Sequence, residues 1–161
     1  MQMFLIALTL IATEPPRAMA VEVVRDPIND RIRASAIVRD DGNRLVVSCS
    51  PGQYDGRRVV FHSRRWLARG HILSGARPLV YRFDSDPPRR MLWATDRRHA
   101  TLSSGRRVAS FLARLATAER LVIRARDMEG RRFDTVFRLK DVGPALDRAL
   151  AACSGGSQEA G

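Results

Sequence analysis

Arginine is the residue type that could do chemistry in this chain. Its 28 basic residues include only one lysine, Lys140, against 17 acidic residues, for a formal net charge of +11. Six arginine pairs are adjacent: Arg57-Arg58, Arg64-Arg65, Arg89-Arg90, Arg97-Arg98, Arg106-Arg107 and Arg131-Arg132. A guanidinium is a planar fork of donors that takes phosphate, sulfate or carboxylate bidentately, as an ammonium does not. A positive field of this kind attracts anions over a Debye length of roughly 8 Å. Strand alternation puts Arg124, Arg126 and Arg138 on solvent faces, while Arg82 and Arg90 flank Asp84 and Asp86. These five arginines are the candidate anion-binding residues, with an anionic glycan or lipopolysaccharide phosphate as the ligand class. The competing account is compositional: a GC-rich coding sequence enriches arginine, and charge runs are usually solvated faces.

Other chemistries find less support. The histidines, His62, His71 and His99, are separated by more than four residues, and no Cys-x-x-Cys or His-x-x-Glu pattern exists. A zinc site needs three or four convergent ligands, so ordinary histidines are expected, with His71 and His99 in arginine-rich loops. No Gly-x-Ser-x-Gly elbow positions a nucleophile. Asp26, Asp30, Asp84, Asp86 and Asp96 could supply a carboxylate pair, as a cell-wall hydrolase would need. Asp26-Pro27 and Asp86-Pro87 read instead as turns, where Asp bonds the local backbone. The eleven glycines are scattered, so no phosphate cradle forms. No catalytic residue, metal site or cofactor is assigned.

The elements that would position these residues are short. Ile32, Ala34, Ala36 and Val38 alternate, Asp40-Asp41-Gly42-Asn43 turns the chain, and Leu45, Val47 and Cys49 continue inward on a partner strand. Further strands run from Arg57 to Trp66, after Pro78 through Leu79, Tyr81 and Phe83, and from Arg90 to Thr95. Trp66 and Trp93 are expected in the core. Val108, Phe111, Leu112 and Leu115 then recur at helical spacing, so a helix spans Gly105 to Thr117, capped by Ser104. Leu121, Ile123 and Ala125 return to strand spacing, Glu129-Gly130 turns, and Phe133, Thr135, Phe137 and Leu139 form the partner strand. A last helix opens at Asp141 with Pro144 in its first turn. It carries Val142, Ala145, Leu146, Ala149, Leu150 and Cys153 on one stripe. The fold class is α+β, a mainly antiparallel sheet or sandwich with two packed helices.

Residues 1–20 read as a signal peptide: Phe4 to Ala12 is an apolar run, Thr13 to Arg17 breaks it, and Ala18-Met19-Ala20 is a small-x-small cleavage site. Residues 21–153 then form one domain and residues 154–161 a polar tail. No membrane span is expected in the mature chain. Cys49 and Cys153 both fall on inward faces, and an even count in an exported chain points to a disulfide. Its loop of about 100 residues is worth roughly 4–5 kcal/mol on the chain-entropy model. Export to the periplasm or beyond makes nucleic acid a poor partner, and an aromatic content of 6% is thin for base stacking. A cytoplasmic chain would make nucleic acid a serious candidate.

Three segments carry a family resemblance. They are DPIND (Asp26 to Asp30) with LVVSC ending at Cys49, VYRFDSDPPRRMLW (Val80 to Trp93), and the stretch from FLARL at Phe111 to Cys153. In these the chain resembles the VasI/TagO-like exported accessory proteins linked to type VI secretion, departing after Cys153 in its SGGSQEAG tail. The last segment is also similar to the invasion-associated locus B proteins. The resemblance implies a periplasmic β-rich domain with no established catalytic residues, acting as an auxiliary component. Its partner would be an envelope or secretion-system protein.

Overall fold

The computed structural model describes residues 19–25, 28, 32–49, 56–71, 74–103 and 105–155, without the side chains of 32 and 153–155. The chain order is β1 (Ala20–Arg25), β2 (Ile32–Asp40), β3 (Asn43–Cys49), β4 (Arg57–His62), β5 (Ala76–Phe83), β6 (Arg89–Asp96), β7 (His99–Leu102), α1 (Gly105–Leu115), β8 (Arg120–Arg126), β9 (Arg132–Arg138) and α2 (Val142–Gly155). The strands form one antiparallel sheet in the order β1-β2-β3-β4-β7-β6-β5-β8-β9.

Hydrophobic alternation explains the strands. Ala34, Ala36 and Val38, Leu45, Val47 and Cys49, and Leu121, Ile123 and Ala125 are all buried; the residues between them lie on the other face of the sheet and, apart from the buried Ile37, are at least partly exposed. The β2–β3 hairpin turns on Asp41 (φ 40°) and Gly42 (φ 75°), the left-handed pair that a two-residue hairpin needs. The sheet curls until β9 contacts β2. Across the enclosed core, Phe61 of β4 meets Phe137 of β9 edge to face at 6.1 Å.

Each helix buries one stripe against this interior. Phe111 of α1 sits among Tyr81, Phe83 and Trp93, at ring separations of 5.2, 5.1 and 5.7 Å. The α2 stripe of Val142, Ala145, Leu146 and Ala149 is buried, and the helix packs on β1, β2 and β3. No described helix is long and apolar enough to cross a membrane.

Several expectations shift. The strand read from Arg57 to Trp66 stops at His62: the Ser63 N–H still meets the Arg98 carbonyl in register, but the Arg64 N–H goes to the Asn43 side chain instead of a strand carbonyl. Pro78 lies inside β5 rather than ahead of it. His99 is not in a loop: it opens β7, a four-residue strand too short to show alternation. Trp93 is fully buried as expected, but Trp66 is 47% exposed, with the Arg98 guanidinium 5.3 Å above its ring. The expected signal peptide and its boundary fall almost wholly on residues 1–18, outside the described residues, as do the Ser104 cap and Asp26 and Asp30. At that boundary Met19 is buried in the core and Ala20 pairs with Ile37.

Candidate functional site

Residues opposite one another across paired strands share a face, as do residues two apart on one strand. Val80 pairs with Arg90 on one side and Arg124 on the other, Arg82 pairs with Val122, and Arg120 pairs with Arg138. All five candidate arginines (Arg82, Arg90, Arg124, Arg126 and Arg138) therefore stand on the outer face of the β6-β5-β8-β9 sheet, and all are exposed. Arg132, opposite Arg126, joins them.

A break in the sheet gives this face depth. The β5–β8 ladder runs only from Phe83↔Leu121 to Val80↔Arg124. Two residues earlier on β5 stands Pro78, which has no N–H to give a neighbouring strand. Beyond Arg124, β8 turns to the loop after β4 instead. The Ala68 N–H donates to the Arg126 carbonyl at 2.9 Å, the Met128 N–H to the Trp66 carbonyl at 3.1 Å, and Leu67 bridges to Asp127. Between the separated strands lies a cavity of about 410 Å³. Arg77, Arg90, Arg124, Arg126 and Arg132 line it, with no carboxylate among the described residues of its walls. Leu67, Ala68, Leu79, Thr95 and Ala125 make the rest mostly apolar.

The guanidinia around it are not equivalent. Arg124 is forked onto Asp134, Nε to Oδ1 and Nη2 to Oδ2 at 2.7 Å each. That hydrogen bonding holds the Asp134 carboxyl below the usual carboxylate range, against partial burial and with the charge of Arg124 adding. Arg126 donates to the Gly130 carbonyl at 2.8 Å, and Arg77 to the Arg69 carbonyl. Arg90 and Arg132 have no ion pair or side-chain hydrogen bond among the described residues. A smaller cavity of about 210 Å³ continues across the face between Arg82, Arg120 and Arg124.

Two of the acidic candidates, Asp84 and Asp86, do structural work. Asp84 (φ 45°) accepts the Glu119 and Arg120 N–H groups at 3.0 and 2.9 Å. Arg114 Nε donates to Asp86 at 2.8 Å, and its Nη2 lies 3.3 Å from Asp84. These carboxylates lock the β5–β6 turn to the end of α1 and the start of β8. Asp127 was not singled out by sequence and is buried. Burial pushes its pKa up, but the Arg131 backbone and side chain, with the Glu129 N–H, outweigh this and hold it low. An Asp four residues before an Arg across a Glu-Gly turn was the available signal.

His62 and His99 are cross-strand partners with rings 4.4 Å apart. Burial lowers the His62 pKa, and the charges of His99 and Arg44 lower it further. No group of three or more His, Cys, Asp or Glu gathers as a metal site among the described residues.

Cys49 lies in the core as its register requires, with Sγ 3.6 Å from the Ala149 carbonyl oxygen of α2. Cys153 follows one helical turn later, its side chain outside the described residues.

No protein-family model, no curated protein and no solved structure matches this chain.

Proposed function

We propose that the protein is an exported, non-enzymatic accessory or interaction protein that holds anionic envelope polymer on its arginine face. One observation carries the reading: among the described residues, Arg90 and Arg132 stand unpaired beside a cavity lined by five guanidinia and no carboxylate. Exposed guanidinia such as Arg90 and Arg132, with no counter-charge of their own among the described residues, favour an anion, which would meet them with charge-assisted bonds. The engagement of Asp84 and Asp86 by Arg114 favours binding over hydrolysis. Export, and with it the secretion-associated role and a Cys49–Cys153 disulfide, belongs to the same reading. Its supports are the signal-like N-terminus, the family resemblance and the inward place of Cys49 beside Ala149.

The test is retention on a sulfated-polysaccharide resin. Arg90→Ala/Arg132→Ala is expected to elute at lower salt, with the salt dependence flattened by about one power per contact removed, in the manner of counterion release. Arg106→Ala/Arg107→Ala on exposed positions of α1 makes the same charge change and is the control. Equal elution of the two double variants would show that net charge alone, not this face, holds the anion.

A further inference from the structure

The cavity between β5 and β8 offers more than charge. Leu67, Leu79 and Ala125 give it apolar walls. The Thr95 hydroxyl, on another wall residue, is buried without a hydrogen-bond partner. A uniformly polar polymer lying across the arginines would leave those walls unfilled and wet. At about 410 Å³ the space is in the size range of small-molecule pockets, which bury an apolar body and orient it with a few polar groups. Leu79 and Ala125 come from the inner faces of their strands and Arg90 from an outer face, so the cavity runs inward from the charged surface.

We infer that this slot takes the apolar end of an anionic amphiphile, a phosphate-headed lipid whose head lies against Arg90 and Arg132. The inference rests on the arginine face being an anion site, and names the ligand class that site selects. Arg124 and Arg126 are already bonded to Asp134 and the Gly130 carbonyl, which leaves the head to the two unpaired guanidinia. An ester or hydroxyl oxygen farther along the ligand would give the Thr95 hydroxyl, five residues beyond Arg90 on β6, the partner it lacks, removing the cost of a buried unpaired polar atom.

The experiment is calorimetric titration of the full chain with ethyl, butyl, hexyl and octyl phosphate below micelle-forming concentrations. Inorganic phosphate and a sulfated polysaccharide are the references. Affinity is expected to rise by about fourfold per methylene buried, then level once the slot is full. Ala68→Phe, which narrows the slot from its loop wall, is expected to lower that plateau. Affinity independent of chain length, with the polysaccharide still bound, would overturn the lipid inference and leave the arginine face standing. Loss of all anion binding in the wild-type chain would overturn both. The chain-length series uses the wild-type protein, so it decides the matter even where Ala68→Phe disturbs folding.

Discussion

At the residue scale, the titrating groups separate by sign. His62 has its pKa lowered, first by burial and then by His99 and Arg44. The unfolded chain takes that proton near the usual imidazole value while the folded chain resists it, so acidification through that value favours unfolding. The penalty stops growing once pH is below the folded value. Asp86 and Asp134 are held low, first by their arginine partners, so their stabilisation is full above the usual carboxylate range and is lost only as pH falls through the lowered values. Asp127 follows the same pattern against the opposing effect of its burial. Between pH 7 and pH 5 the histidine effect is therefore separable from the carboxylates. The thermal midpoint is expected to fall over that span, and His62→Gln to fall less. A variant that tracks the wild type throughout would remove His62 from the account.

At the element scale, close approach decides more than propensity. A Cβ on Gly143, in the first turn of α2, would lie 2.7 Å from the Ala116 carbonyl oxygen just beyond α1. Helix propensity alone favours alanine over glycine by about 1 kcal/mol. The clash forces a backbone shift, and overpacking of this kind costs about 1–3 kcal/mol, so Gly143→Ala is expected to destabilise on balance. Denaturant midpoints would check this, and an unchanged or raised midpoint would mean that α2 can move away from Ala116 freely. The same scale explains the site: a strand proline and the diversion of β8 to residues 66–68 open the cavity that a continuous β5–β8 ladder would close.

At the scale of the whole molecule, the proposed disulfide would tie β3 to the end of α2, the helix that covers one end of the sheet. Protein recovered from the periplasm of an expressing bacterium is expected to begin at Val21 and to weigh two hydrogens less than the reduced chain. Reduction is expected to lower stability by about 2–5 kcal/mol. Intact mass with and without reductant, followed by denaturant unfolding, measures both. A full-length, reduced chain would overturn the export reading and put nucleic acid first among ligands to test.

Much of the fold was legible in the sequence because burial writes a period into it. Ala34-Ala36-Val38, Leu121-Ile123-Ala125 and the α1 stripe around Phe111 each state their partner face locally, and Cys49 inherits its place from its strand. The arginines could be assigned to solvent faces on the same ground. What no local pattern holds is which strands become neighbours. Chain order does not say that β5 lies between β6 and β8, nor that β7 pairs with β4 and sets His99 against His62. Trp66 carries the same aromatic signal as Trp93, yet it lies past the end of β4 and stays exposed. By itself the sequence determined strand faces, helix stripes and the sign of the surface, all properties of residues near one another in the chain. Only the tertiary structure gathered Arg90, Arg124 and Arg132 around one opening, because that required four strands to meet and two of them, β5 and β8, to part.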